Sequence, residues 1–178
     1  MWGEDVNKYA LKWKEKEYID YCKGLANPRQ PKFFTGERLL VREITNPSVF
    51  CALPCNEYYH DPAIIVILEG AEISSKILCG ILNSKLMSFY HFNSSPKATK
   101  GAFPKILVED IKNFPLPKVS KTQQKPFITL VDQILSAKAT NPKADTSELE
   151  KQIDEMVYKL YELTDDEIAI IEGGSHGK

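Results

Sequence analysis

Residues 74–90 read Ser74-Ser75-Lys76-Ile77-Leu78-Cys79-Gly80-Ile81-Leu82-Asn83-Ser84-Lys85-Leu86-Met87-Ser88-Phe89-Tyr90. Serine is a favoured N-cap residue, and after Ser74 apolar residues recur at the three- and four-residue spacing of an amphipathic helix. The apolar stripe consists of Ile77, Leu78, Ile81, Leu82, Leu86 and Phe89. We therefore predict one helix from Ser74 to about Tyr90, with Gly80 allowing a neighbouring element to approach closely.

Three β-strands are predicted on the N-terminal side of this helix. Residues 38–45 end at the turn Asn46-Pro47, and residues 49–53 return. Residues 63–68 form a continuous β-branched run, which is typical of a central strand. Together these segments predict a small mixed or antiparallel sheet, and residues 106–108 predict a further short strand.

The first segment of the chain is ambiguous. Tyr9, Leu11 and Trp13 alternate with polar residues, which favours a β-hairpin with its tip at residues 14–17. The same Lys-Glu-Lys-Glu tip has good helix propensity, so a helix is the alternative.

The C-terminal segment is predicted to be helical. Ser120 and Gln123 have the spacing of a capping box. After Asn141-Pro142, the residues Leu149, Ile153, Met156, Leu160 and Leu163 recur at heptad spacing. Two heptads fit either a helix docked on its neighbour or a coiled coil. The predicted fold class is α+β: a small sheet packed with helices over residues 1–119, then a helical arm over residues 120–178.

Charge is unevenly distributed along a chain whose net charge is only −1. Residues 76–125 contain nine lysines and two acidic residues, whereas residues 126–178 contain five lysines and eleven acidic residues. A concentrated positive segment on a balanced protein indicates a polyanion as partner, with nucleic acid as the first candidate. The alternative is that the lysines only keep the surface soluble.

Enzyme motifs are absent from the sequence. It contains no Gly-x-Gly-x-x-Gly, no phosphate-binding Gly-Lys-Ser/Thr loop and no Gly-x-Ser-x-Gly turn. His60 and His91 lack neighbours that would make either a general base, so we interpret both as structural or surface residues. Glu37 and Glu43 imitate a nuclease carboxylate pair, but nothing completes a metal site. We predict no catalytic residue, cofactor or metal in this chain.

No apolar run approaches the roughly 20 residues that a membrane span needs, and the N-terminus has no apolar signal segment. We therefore expect a cytoplasmic protein that does not contact membranes.

A shared order of motifs along the chain resembles one known family. The segments are Gly3-Glu4-Asp5-Val6-Asn7-Lys8-Tyr9, Tyr18-Ile19-Asp20-Tyr21, Pro28-Arg29-Gln30-Pro31-Lys32-Phe33-Phe34, Leu40-Val41-Arg42-Glu43-Ile44, Gly80-Ile81-Leu82-Asn83-Ser84-Lys85-Leu86 with Phe89-Tyr90, and Phe114-Pro115-Leu116-Pro117. This order resembles the TaqI-like C-terminal specificity domain. That family is the target recognition domain of restriction-modification enzymes with N6-adenine methyltransferase activity, and it is related to the halves of type I specificity subunits.

The resemblance implies a mixed α/β domain that binds duplex DNA beside a separate catalytic module. The chain would then be part of a longer type II, type IIG-like enzyme or of an adenine-specific methyltransferase. S-adenosylmethionine, and Mg²⁺ for cleavage, would belong to the methyltransferase or nuclease module of the same or a partner polypeptide. An alternative function is an interaction or spacer module that docks such a partner, with helix-mediated self-association.

Candidate DNA contacts lie in two loops and one strand. The first loop, residues 97–105, is called the lysine loop here; its Gly101 and Pro104 shape a turn that can approach a phosphate backbone closely. A second, proline-punctuated loop spans residues 28–32, and strand arginines offer bidentate pairing to guanine. The candidates are Arg29, Lys32, Arg38, Arg42, Ser95, Lys97, Thr99, Lys100 and Lys105. For Arg42 and Glu43 a structural salt bridge is an equal alternative.

Overall fold

The computed structural model describes residues 1–22, 24–70, 72–98 and 103–173. Its strands are β1 (Val6–Asn7), β2 (Ala10–Leu11), β3 (Arg38–Arg42), β4 (Cys51–Ala52) and β5 (Ile64–Leu68). Its α-helices are α1 (Ser75–Asn83), α2 (Lys85–Ser94), α3 (Val108–Lys112), α4 (Lys121–Thr140), α5 (Ser147–Leu160) and α6 (Asp165–Gly173). Two small antiparallel sheets with helices following them confirm the α+β class.

The larger sheet has the strand order β4-β3-β5, and both pairings are antiparallel. Leu39 and Val41 of β3 pack into the main core beneath the helices, and Leu40 packs into a smaller core on the opposite face. Strand β3 is therefore central. The prediction that residues 63–68 form a central strand was wrong, because β3 is the only strand that β5 pairs with among the described residues. A β-branched run indicates a strand but carries no information about how many partners it finds.

The smaller sheet is a hairpin of β1 and β2 that turns at Lys8 and Tyr9, where Tyr9 has a positive φ of 57°. The hairpin predicted around residues 14–17 was wrong. Residues 14–20 are exposed, and no described residue between 12 and 30 lies in a strand. The hairpin forms earlier because Val6 is buried against the larger sheet.

The helix predicted over residues 74–90 is two helices. Ser74 caps α1 as predicted, since its hydroxyl accepts a hydrogen bond from the Lys76 amide. Ser84 is extended, with ψ of 158°, and its hydroxyl accepts from the Met87 amide to cap α2. The Asn83 side chain accepts from the Cys51 amide at 2.9 Å and donates to the Cys51 carbonyl at 2.8 Å. These bonds to β4 hold the break between the helices in place.

The strand predicted over residues 106–108 is only a single bridge, between Ile44 and Lys105. Val108 begins α3 instead. In this helix the Asp110 carboxylate accepts a hydrogen bond from the Leu107 amide at 2.7 Å, which stabilises the first turn.

The C-terminal helices pack on the rest of the chain. A Cβ atom added at Gly80 of α1 would lie 3.4 Å from a Val131 methyl of α4, so the predicted close approach at this glycine is confirmed. Helix α5 packs against α4 and α1, which confirms the docked-helix alternative for the heptad stripe. The boundary at residue 119 stays a prediction, because buried residues from both sides of it share one core. Among the described helices, none is long and apolar enough to cross a bilayer.

Candidate nucleic-acid interface

The two ends of the lysine loop are fixed to the end of β3. The Lys105 amide donates to the Lys97 carbonyl at 3.1 Å, which closes the base of the loop. The Thr45 amide donates to the Pro104 carbonyl at 3.0 Å, and the Ile106 amide donates to the Glu43 carbonyl at 2.9 Å. The segment that follows β3 therefore positions residues 104–106. Its candidate tip residues Thr99 and Lys100, with Gly101, lie outside the described residues.

A buried polar contact supports this attachment from α2. His91 is fully buried, and its Nε2 lies 3.1 Å from the Thr45 hydroxyl. Burial lowers the pKa of His91, against the opposing effect of Asp110, so the ring is neutral near pH 7. His91 is thus a structural residue, as interpreted from the sequence, and it links α2 to the strand end that carries the loop.

The two described lysines of the loop differ in their partners. Lys105 forms an ion pair with Glu43, with 3.0 Å between Nζ and Oε1. Lys97 is exposed and forms no ion pair within the described ranges. Glu43 is therefore paired with Lys105, and the guanidinium of Arg42 instead lies 5.1 Å above the Phe50 ring. A cation over an aromatic face keeps its charge available to a ligand on the other side.

The proline-punctuated loop reaches the same end of the sheet. Arg29 Nη1 donates to the carbonyl of Ile64, the residue of β5 that lies opposite Arg42. Lys32 is exposed and lies 5.3 Å from the centroid of the Phe33 ring. The structure thus brings Arg29, Arg42, Lys97 and Lys105 to the end of the sheet where β3 stops and β5 starts.

A groove of about 570 Å³ runs beside the edge strand β5 at this end. Its lining includes Arg29, Phe33, Glu43 and residues 64–66 and 106–108. The outward-facing carbonyl of Ile64 is used by Arg29, which joins the second loop to this strand. The candidate interface is therefore a mostly apolar groove lined by Arg29 and Glu43, with Arg42, Lys97 and Lys105 at the same end of the sheet.

Two sequence candidates lie away from any accessible surface. Arg38 is 1% exposed, and its guanidinium donates to the carbonyls of Gly36 at 2.8 Å and Asn56 at 2.9 Å. Burial lowers the pKa of Arg38, against the opposing effects of Glu57 and Tyr58. Ser95 is 6% exposed, at the end of α2. DNA contacts expected for these two residues do not fit their positions, because neither side chain faces solvent.

Part of the basic segment is neutralised by the acidic tail. Lys76 of α1 pairs with Asp132 of α4 at 2.7 Å, and Lys85 of α2 pairs with Glu172 of α6. These ion pairs join the tail to α1 and α2. Two of the nine lysines of residues 76–125 are therefore already paired and are less available to bind DNA. Three exposed lysines just before α4 and in its first turns are absent from the predicted DNA contacts, although the charge count of residues 76–125 included them. They are Lys118, Lys121 and Lys125.

Comparison with known proteins identifies the family of the chain. Residues 1–116 match the TaqI-like C-terminal specificity domain. Over 168 residues the chain is 27% identical to a Methanocaldococcus jannaschii protein named "Putative type II restriction enzyme and methyltransferase". The match covers 88% of this chain but only 14% of that relative. The match to the family spans well over half of the chain, so this protein belongs to the TaqI-like C-terminal specificity domains, the DNA target recognition domains of restriction-modification enzymes.

Proposed function

We propose that this chain is the sequence-reading part of a type II, type IIG-like enzyme that both methylates adenine and cleaves DNA. The name of the similar archaeal protein, which combines restriction enzyme and methyltransferase, supports this assignment. The chain matches a small share of that protein's length. Methyl transfer with S-adenosylmethionine, and cleavage with Mg²⁺, are assigned to a separate module that holds the duplex together with this domain.

One observation supports the reading role most directly: basic side chains from three separate segments meet at one end of the sheet. Arg29 comes from the second loop, Arg42 from β3 and Lys97 from the start of the lysine loop, and none of the three forms an ion pair within the described ranges. Three segments that are distant in sequence have no local reason to place like charges together. A polyanion that compensates their repulsion provides such a reason.

The groups differ in what they would do on DNA. Lysines act as point charges that neutralise phosphates and fix the register of the protein on the duplex. The planar guanidinium of Arg42 is suited to the O6 and N7 acceptors of guanine in the major groove. We assign Lys97 and the loop tip with Thr99 and Lys100 to phosphate contacts, Lys105 to loop positioning through Glu43, and Arg42 to base readout.

The phosphate assignment is tested with the double variant Lys97→Ala/Lys100→Ala. We expect weaker duplex binding at every sequence. The slope of log K against log salt concentration should also become shallower by about 0.9 for each lost phosphate contact. The measurement is a titration of labelled duplexes at several salt concentrations. The matched control is Lys151→Ala/Lys159→Ala, which removes two exposed lysines from α5. Equal affinity and equal salt dependence in the loop variant and in the wild type would exclude the assignment.

A further inference from the structure

A second cavity, of about 750 Å³, lies next to the candidate interface and is called the aromatic pocket here. Its walls come from residues 1–2, 13, 17–19, 21, 25–29, 34 and 57–62. Both tryptophans of the chain line it. Its main aromatic side chains are Trp2, Trp13, Tyr18, Tyr21, Tyr58 and Tyr59.

The rings form two contacting groups. Trp13 packs edge-on against Tyr18 and Tyr58, with centroid distances of 5.4 and 5.9 Å. Tyr59 lies 4.9 Å from Tyr21 and stacks on Phe34 at 4.5 Å. These contacts hold Trp13, Tyr18, Tyr21, Tyr58 and Tyr59 in place, because each of these rings packs against at least one other ring.

The rim of the pocket leaves aromatic surface uncovered. Tyr18 is 78% exposed and Trp2 is 52% exposed, and the neighbouring Ile19 is also 52% exposed. Large apolar side chains that are exposed together mark a binding site more often than a random surface. An aromatic rim with free ring faces is suited to a flat, polarizable ligand.

Most charged groups of the pocket already have partners. The Trp2 indole N–H donates to the Glu17 carboxylate, and the Tyr59 hydroxyl interacts with Glu57. Arg29 uses one guanidinium nitrogen on the Ile64 carbonyl. Within the described residues, the pocket therefore offers no cluster of free cations for a phosphate.

Two polar atoms in the wall have no hydrogen-bond partner among the described residues, His60 Nε2 and Asp61 Oδ1. Burial lowers the pKa of His60 against the opposing effects of the Asp61 and Phe33 carbonyls, so the ring is neutral near pH 7. Its Nδ1 lies 2.9 Å from the Asp61 carbonyl and donates to it.

Arg29 and Pro62 line both this pocket and the groove beside β5. A nucleotide whose phosphate lies near Arg29 is therefore within reach of the aromatic rim. We propose that the aromatic pocket accepts an unpaired nucleobase from the bound DNA and stacks it against Tyr18 and Trp13. This inference rests on the proposed DNA-reading function and adds a second mode of contact to it.

Tryptophan fluorescence of the full chain tests this inference, because both tryptophans line the pocket. The probes are a single-stranded oligodeoxyadenylate and an abasic oligomer of equal length, which keeps the phosphates and lacks the bases. We expect the first to quench the fluorescence and the second to leave it unchanged. Tyr18→Ala should weaken binding of the first probe about tenfold, whereas Ile170→Ala, an exposed control on α6, should not.

Each other outcome would overturn the inference. Equal quenching by both oligomers would mean that the pocket responds to phosphates. The amide of N-acetylarginine serves as a probe for a protein ligand. If it quenches the fluorescence and the oligodeoxyadenylate does not, the pocket binds a protein segment. The proposed function is judged separately by the duplex titration of the lysine-loop variant, since salt-sensitive duplex binding without base-dependent quenching would refute only the pocket.

Discussion

At the scale of single residues, Asp154 of α5 stabilises the first turn of α2, a helix that begins 69 residues earlier in the sequence. It is 6% exposed on α5, and its Oδ1 accepts a hydrogen bond from the Lys85 amide at 2.8 Å, at the first residue of α2. Asp154→Ala removes the partner of this partly buried amide at a helix start, so we expect the free energy of unfolding to fall by about 0.5–2 kcal/mol. Asp154→Asn keeps an oxygen acceptor and should lose less.

Urea denaturation measures both Asp154 variants. Glu155→Ala is the control, because Glu155 is exposed on the same helix and should change stability by less than about 0.5 kcal/mol. An Asp154→Ala protein as stable as Glu155→Ala would show that the bond to Lys85 contributes nothing.

His91 predicts a specific pH dependence. Its pKa in the folded protein lies below the ordinary value of 6.5 because the ring is buried. As the pH falls below 6.5, the unfolded chain takes up this proton before the folded protein does. The free energy of unfolding therefore decreases with falling pH in this range, and His91→Gln should show a shallower decrease.

Denaturation of wild type and His91→Gln at about pH 7.5 and pH 5.5 gives this difference directly. His60, whose pKa is also lowered by burial, is present in both proteins and cancels in the comparison. Identical decreases in stability would mean that protonation of His91 is not linked to folding.

Substitution of Arg42 is expected to change the DNA sequence specificity of the protein as well as its affinity. Its charge lies over Phe50, at the end of β3 beside the lysine loop. A lost bidentate contact costs about 1–3 kcal/mol of discrimination at one base pair. Selection of bound duplexes from a random pool should show relaxed preference at one position for Arg42→Ala. A sequence preference identical to that of the wild type would assign Arg42 a structural role.

At the scale of elements, α1 packs against α4 and α5 at Gly80. A Cβ atom there would be 3.4 Å from Val131 and 3.6 Å from Ile153, which is ordinary contact distance. Gly80→Ala should therefore be neutral or stabilising by up to about 1 kcal/mol, through helix propensity. Gly80→Leu should destabilise by about 1–3 kcal/mol, since the larger side chain meets α4 and α5.

Thermal denaturation of the two Gly80 variants provides the comparison. If Gly80→Leu unfolds at the same temperature as Gly80→Ala, the helices are not packed closely at this position.

The elements also show where local patterns stop being informative. Ser74 and the apolar stripe after it predicted the start and the buried face of α1, because capping and periodicity are properties of neighbouring residues. The break at Ser84 was missed, although serine is an N-cap residue type there too. The extended conformation of Ser84 is held by bonds from Asn83 to Cys51, which lies 32 residues earlier.

At the scale of the whole molecule, the acidic tail is part of the core. Phe127, Val131 and Ile134 of α4 and Ile153 and Val157 of α5 are buried with α1 in one cluster. A chain ending at residue 119 would expose the face of α1 that these residues cover. We expect it to lose cooperative urea unfolding or to unfold at a much lower urea concentration than the full chain.

This truncation also tests the predicted domain boundary. A shortened chain that unfolds cooperatively at the midpoint of the full chain would establish residues 1–119 as an independent domain and would contradict the shared-core interpretation.

Local order along the chain was enough to predict an α+β fold, a helical C-terminal segment, a basic middle segment and the family resemblance. Tertiary structure alone decided that β3 is central, that Arg38 is buried, that Lys76 and Lys85 pair with the tail, and that aromatic residues from distant segments share a pocket. The physical reason is range: capping, periodicity and charge density act between near neighbours. Strand partners, burial and ion pairs are instead set by segments that meet only after folding.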